Sequence, residues 1–345
     1  MTKNCPFCKK PRKGTVAAFA AGTAAAAGAV ATLRMANGVV SRDFTNQAHT
    51  NDRAFFERLA RTMPGTEGLE FAESRSVVKQ KVAECQGDLY ADADVERVTI
   101  PAANPDETAV AYCYRGSQPT DRWAILLHGY RADHYEMDGY ALYYLRRGFN
   151  VLSPDLHGQG ESDGAFIGMG LPEASDIWLW ADYLRVRFGE DSQIVLHGHS
   201  LGAVTAIIAA TEHLPLQVKA IVADSAYSSA LAMIDKMACQ ANWPGPVLAS
   251  AVRLVMLLRS GIDLARSDAL AASRRNQLPT LFIHGGCDHW IPSTMAVELY
   301  TGTAAGLREL RVVPGAGHGE AFAKDPDAYF ALVDRFLQQA GVAYD

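Results

Sequence analysis

The sequence predicts an α/β domain: a mostly parallel, doubly wound sheet of about eight strands, flanked by helices and carrying a helical insert. Three observations predict it. From Asp94 onward, short apolar runs alternate with amphipathic stretches of helical length. The later runs are continuously apolar, as strands covered on both faces require. A serine between two glycines stands where one such run gives way to a helical pattern.

Composition sets the outer bounds. The 345 residues are 49% hydrophobic and 20% charged, with a net charge of −6, which is a globular profile rather than a disordered or fibrous one. No basic stripe dominates, which argues against nucleic acid as a partner. An α/β unit of about 250 residues fits within this length as one domain.

The N-terminal region reads differently. Lys3, Lys9, Lys10, Arg12 and Lys13 make a basic tip over 1–13, and an uncharged, alanine-rich run follows over 14–33. About 20 residues at about 1.5 Å each match a bilayer core of about 30 Å, and the basic tip favours a cytoplasmic N-terminus. The run is therefore expected to be a retained anchor in the cell membrane, with the folded part outside the cytoplasm. Two alternatives stand beside it: a signal peptide cleaved at Ala29-Val30-Ala31, giving a secreted product, and a soluble alanine-rich helix. Residues 34–94 read as a spacer partly packed on the main domain. It has helical patterns at Arg53–Thr62 and Ser76–Cys85, separated by Pro64-Gly65 and Gly68.

The α/β region occupies 95–345. Strands are expected at Val95–Ile100, Ala109–Tyr114, Trp123–Leu127, Asn150–Ser153, Gln193–Leu196, Lys219–Ala223, Thr280–Ile283 and Leu310–Val313. The first two share a short connection and should be antiparallel. Helices are expected at Glu136–Arg147, Glu173–Phe188, Leu201–His213, Thr294–Thr303 and Asp327–Ala340. Residues from about 227 to 276 interrupt the alternation with apolar helical patches, the natural place for a lid.

The pattern that carries chemistry is Gly198-His199-Ser200-Leu201-Gly202. It follows one strand and opens a helix, as a nucleophile on a sharp turn demands. A Cβ at Gly198 or Gly202 would collide with the neighbouring strand or helix, and the turn puts backbone N–H groups where they can hold negative charge. A serine hydroxyl needs a base. His318, in Gly317-His318-Gly319, follows the last strand and is the candidate; Asp288, in Asp288-His289-Trp290-Ile291-Pro292, follows the preceding one and would orient it. Asp224, at the end of Lys219–Ala223, is the alternative acid, expected otherwise to satisfy backbone N–H groups near the lid hinge. His197 and His199 are expected to pack or shape the turn. The Leu126-Leu127-His128-Gly129-Tyr130 loop supplies one oxyanion donor and the residue after the serine the other, so the amides of Tyr130 and Leu201 are the candidates. The Tyr130 ring is expected to pack, with a substrate contact for its hydroxyl as the alternative.

Together, His128-Gly129-Tyr130, Pro154-Asp155-Leu156-His157-Gly158-Gln159-Gly160-Glu161-Ser162, the Ser200 turn, Asp288-x-x-Ile291-Pro292 and Gly317-His318-Gly319 resemble the α/β-hydrolases grouped with serine aminopeptidases and dienelactone-hydrolase-like enzymes. The likeness runs from about Val95 to Ala340. In that family the second motif usually reads Arg-Gly-His-Gly, whereas here Leu156-His157 and Gln159 replace it. The resemblance implies a serine hydrolase acting on a small-molecule or peptide substrate through an acyl-enzyme. An acyltransferase with the same three residues, or a binding protein on a retired hydrolase fold, are the other readings. Met233, Met237, Trp243, Val255, Met256, Leu257 and Leu258 are candidates for an acyl pocket beneath the lid, and Glu161, Asp163 and Glu173 for gripping a free amine in a peptidase.

No cofactor or metal is expected. No H-E-x-x-H or paired ligand spacing occurs, and Cys5-x-x-Cys8 is half of a zinc-knuckle pattern without its second half. Cys85, Cys113, Cys239 and Cys287 either pair in an oxidising compartment or stay free. A reporter fused after Asp345 is expected to be active only outside the cytoplasm; activity inside would return 14–33 to the soluble reading.

Overall fold

A computed structural model of the chain describes residues 28–42, 67–211, 214–240 and 243–342. The basic tip, the Cys5–Cys8 pair, residues 14–27 of the apolar run and the helical pattern at Arg53–Thr62 lie outside the described residues. Among the described residues no helix is long and apolar enough to cross a membrane.

The strands are β1 (Asp94–Pro101), β2 (Thr108–Arg115), β3 (Arg122–Leu127), β4 (Asn150–Pro154), β5 (Gln193–His199), β6 (Val218–Asp224), β7 (Thr280–Gly285) and β8 (Arg308–Val313). They form one sheet in the order β1-β2-β4-β3-β5-β6-β7-β8. β1 and β2 pair antiparallel, β2 is antiparallel to β4, and every other pairing is parallel. The chain steps outward from β3 to β4, then returns to the other side of β3 with β5. That reversal opens a crevice at the carboxyl ends of β3 and β5, where open α/β sheets place their ligands.

Helices cover both faces. They are α1 (28–40), α2 (Glu67–Asp92), α3 (Asp138–Arg146), α4 (Leu171–Phe188), α5 (Leu201–Ala209), α6 (Ala230–Gln240), α7 (Gly245–Ser260), α8 (Ala269–Ser273), α9 (Ser293–Gly302), α10 (Glu320–Lys324) and α11 (Pro326–Gln339). Because side chains alternate along a strand, two cores result. Trp123, Ile125, Leu127, Ile194, Leu196, Ile221 and Phe282 face α1, α4, α5, α9 and the insert. Ala124, Leu126, Val195, Val222, Leu281 and Ile283 face α2, α3, α10 and α11. The aromatic rings of Tyr140, Tyr144, Phe322, Tyr329 and Phe330 meet edge-on or tilted within the second core.

Several expectations change. Gly68 does not break the N-terminal region; it lies in the first turn of the continuous helix α2, where few intrahelical bonds depend on it. In the described parts of 34–94, which were expected to pack partly on the main domain, Ala36 and Val40 join one core and Cys85 and Leu89 the other. β8 is not buried on both faces but is a largely exposed edge strand whose Arg308, Glu309 and Arg311 suit an unpaired edge. The helix expected from Glu136 begins as a 3-10 turn at His134–Met137, with the Asp133 side chain accepting the Tyr135 N–H, before α3. α5 ends at Ala209 rather than His213, and the Thr211 hydroxyl bonds the Ile208 carbonyl in the turn that follows. All four described cysteines are free.

Leu89 of α2 is fully buried in the second core. Leu89→Ala should cost about 2–5 kcal/mol of stability, read from the urea midpoint; a loss under about 0.5 kcal/mol, the scale of a surface change, would mean that α2 is only loosely attached.

Candidate active site

The turn between β5 and α5 is built by steric exclusion. Ser200 has φ 54° and ψ −113°, a conformation that side chains rarely adopt and that aims the hydroxyl out of the sheet. A Cβ on Gly198 would lie 2.2 Å from the carbonyl of Gly202, and one on Gly202 would lie 2.0 Å from the Leu127 carbonyl oxygen of β3. Both glycines are therefore required for the helix to start this close to the strands. The Ser200 N–H donates to the Asp224 carbonyl at 2.8 Å, tying the turn to β6.

Three distant side chains meet here. His318 Nε2 lies 3.0 Å from Ser200 Oγ, and His318 Nδ1 lies 2.7 Å from Asp288 Oδ2. Asp288 Oδ1 accepts the Ile291 N–H at 2.8 Å, and His284 Nε2 stands 3.2 Å from Oδ2. Burial alone would raise the Asp288 carboxyl, but the charge on His318 and the hydrogen bonds from His284 and His318 outweigh it and hold the group well below the ordinary carboxylate range.

Asp224 is not at His318. Its carboxylate accepts the Tyr329 hydroxyl at 3.0 Å and the Ser225 hydroxyl at 2.9 Å. It was expected to satisfy backbone N–H groups, but α11 brings Tyr329 down onto it instead. His197 packs as expected. It sits between the hydroxyls of Tyr144 (3.0 Å) and Tyr329 (2.9 Å), and burial pulls its pKa down to about 3, keeping the ring neutral.

The loop after β3 is held from every side. His128 Nε2 accepts the Leu156 N–H at 2.9 Å, so its Nδ1–H donates to the Gly129 carbonyl at 2.8 Å. Gln159 Oε1 accepts the Arg131 N–H at 2.6 Å. Glu136 Oε2 accepts the Gly129 N–H. The Tyr130 hydroxyl donates to the Val39 carbonyl of α1, and the Arg131 guanidinium reaches the Gly38 carbonyl. The hydroxyl is thus used in packing. The amides of Tyr130 and Leu201 have no hydrogen-bond acceptor among the described residues. The Pro154–Ser162 motif supports this loop: Asp155 accepts N–H groups from His134 and Glu161, and a Cβ on Gly160 would run into its carboxylate.

His199 was expected only to pack or shape the turn and Glu136 only to open a helix; their pairing was not foreseen. His199 Nδ1 lies 3.3 Å from Glu136 Oε2. Burial would raise the glutamate's pKa, but the hydrogen bond and charge of His199, with Arg75 and the Gly129 N–H, lower it. Burial would likewise lower His199, yet Glu136 raises it. The two residues are 63 positions apart, and no local pattern announces the pair.

Ser200 opens into a small hollow of about 40 Å³ lined by Arg75, Val78 and Lys79 of α2, by Gly129, Tyr130 and Glu136, and by Trp290. The same face of α2, with Val82 and Gln86, also lines an adjoining cavity of about 440 Å³. None of the seven insert residues proposed for an acyl pocket lines either space. Along α7 the helical period turns Leu248, Val252 and Met256 inward and Leu254, Leu257 and Leu258 outward. Nor do the proposed amine-gripping carboxylates face Ser200. Glu161 lines the larger cavity but is engaged by Arg97 and Tyr112, and Asp163 accepts the Thr108 N–H. Glu173 accepts the N–H groups of Gly168 and Gly170.

Burial pushes the Glu173 carboxyl up to about 7. In the unfolded chain it ionises near about 4.3, so between these values the folded protein holds one proton more. Stability should therefore fall as pH rises through that window, by about 1.4 kcal/mol per unit. Denaturant melts across pH 4–8 should show this slope reduced in Glu173→Gln; an identical slope would mean that the carboxyl ionises as freely as in the unfolded chain.

A model of the alpha/beta hydrolase family matches residues 124–332. The uncharacterized protein YqkD of Bacillus subtilis (strain 168) is 26% identical over 221 residues, covering 63% of this chain and 72% of that protein. The uncharacterized protein YfhR of Escherichia coli O157:H7 is 26% identical over 198 residues, 56% of this chain and 62% of that protein. Among solved structures, the Pyrococcus furiosus esterase Pf2001 superposes with a TM-score of 0.60 at 25% identity, over 73% of this chain and 93% of that one. Est1E of Butyrivibrio proteoclasticus, with ferulic acid bound, is similar in fold, with a TM-score of 0.54 at 19% identity over 71% of this chain and 100% of that one. Matched by the family model over more than half of its length, the chain belongs to the alpha/beta hydrolase family.

Proposed function

We propose that this hydrolase cleaves an ester or amide bond through an acyl-enzyme on Ser200. The observation that carries the reading is the line of contacts from Ser200 Oγ through the His318 ring to Asp288. His318 Nε2 takes the hydroxyl proton as Ser200 attacks the carbonyl, and returns it to the leaving group. Asp288 holds the ring with Nδ1 protonated and offsets the charge that develops on it. The amides of Tyr130 and Leu201 receive the oxyanion, a role for which donors without a standing partner are suited. Water then repeats the sequence on the acyl-enzyme.

An ester is favoured over a peptide with a free N-terminus. The carboxylates that would grip an ammonium, Glu161, Asp163 and Glu173, are committed to other partners. The Pyrococcus relative is described as an esterase. The cavity walled by α2 offers room for a small-molecule substrate beside Ser200.

Ser200→Ala should lower turnover of p-nitrophenyl butyrate by at least about 10³-fold with little change in melting temperature. Activity within a few-fold of wild type would move the nucleophile elsewhere. Asp288→Asn should cost about 10⁴ in kcat, as loss of the correct tautomer does, and Asp224→Asn much less. The reverse order would make Asp224 the orienting acid.

A further inference from the structure

The two amides assigned to the oxyanion belong to different loops. Tyr130 follows β3, and Leu201 follows β5. Their spacing decides whether both reach one oxygen, and such donors must be held to within about 0.5 Å of the productive geometry. Covalent connection does not fix it, since the loops are about 70 residues apart in sequence. One buried contact does cross between them. Glu136 accepts the N–H of Gly129, the residue before Tyr130, and its same oxygen faces Nδ1 of His199, the residue before Ser200. The space is closed around this contact: a Cβ on Gly129 would lie 3.0 Å from the Glu136 carboxylate, 3.3 Å from His199 Nδ1 and 3.6 Å from Ser200 Cβ. On its other edge the His199 ring meets the base loop, where a Cβ on Gly319 would come 2.4 Å from Nε2, and the ring centroids of His199 and His318 are 5.4 Å apart.

We propose that Glu136 is a positioning residue that, through His199, clamps the oxyanion loop to the nucleophile turn. By engaging the Gly129 N–H it fixes the peptide plane next to the Tyr130 amide. The buried His199 ring, 3.3 Å from the same oxygen, keeps that carboxylate from swinging toward solvent or toward Arg75, which stands near it on α2. Both side chains line the hollow at Ser200, and both act by setting where two N–H groups point. The inference rests on the reading of Ser200 and the two amides given above.

The test compares Glu136→Gln, Glu136→Ala and His199→Gln with wild type, using p-nitrophenyl butyrate and a trifluoromethyl ketone whose hemiketal with Ser200 Oγ, formed as His318 takes the hydroxyl proton, carries the tetrahedral oxyanion. Active sites are counted by fluorophosphonate titration, so that a variant with fewer folded molecules is not mistaken for a slower one. Glu136→Ala should lower kcat per active site by about tenfold or more, short of the loss caused by deleting a donor outright, with KM changed less than twofold. The affinity for the ketone should fall by the same factor as kcat/KM. Glu136→Gln keeps an acceptor for Gly129 and should recover part of the loss. His199→Gln should resemble Glu136→Ala in direction. If Glu136→Ala does not fold, the Gln and His199 variants carry the comparison. Equal kcat per active site and unchanged ketone affinity in the folded variants would overturn the clamp while leaving the hydrolase reading intact. Absence of both turnover and a Ser200 adduct in wild type would instead remove the reading on which it rests.

Discussion

The approach of Gly202 to the carbonyl oxygen of Leu127 is the constraint on which the site depends. At 2.0 Å from where a Cβ would stand, no side chain fits, and α5 begins directly against β3. That contact forces the chain through Ser200 in a strained conformation, and the strain is sustained because the flanking strands β3, β5 and β6 are buried on both faces. The serine hydroxyl, the N-terminus of α5 and the crevice at the strand reversal coincide because of one steric exclusion.

Around that point the molecule devotes its buried polar groups to holding loops rather than to contacting a ligand. Asp155, His128, Gln159 and Glu136 each end on a backbone N–H or carbonyl of the segment from Gly129 to His134. Asp224 and His197 form a second set that joins α11 to the turn through Tyr329. A buried polar group left unpaired is costly, while a paired one fixes geometry. These side chains are therefore better understood as scaffolding for main-chain donors than as further reactive groups.

Much of this was legible in the sequence because it is local. The eight strand positions follow from short apolar runs between turns, and each observed strand contains the expected one. The Ser200 turn could be read from two glycines at fixed spacing. Asp288 and His318 could be singled out because each follows a strand, although only the folded chain puts them within hydrogen-bond distance of one another and of Ser200. What escaped is non-local. Nothing in the pattern around His134-Tyr135-Glu136 says that its carboxylate meets His199, and nothing near Asp224 points to Tyr329, 105 residues away. The apolar residues of α7 misled for a different reason. Composition gives their number but not their phase, and the period sends Leu248, Val252 and Met256 into the core and Leu254, Leu257 and Leu258 to the surface, none of them to the cavity. β8 misled similarly, because the apolar residues at its end hid the charged ones that mark an edge.

The placement of α2 carries one more consequence. It lies upstream of the matched family region, yet it supplies a wall of the space beside Ser200. Part of the wall beside Ser200 is thus encoded upstream of the matched region, and the rest lies within it. Drift in residues 75–86 would reshape that wall while leaving the Ser200 turn untouched, so kinship across the shared region says little about the shape of the space beside it.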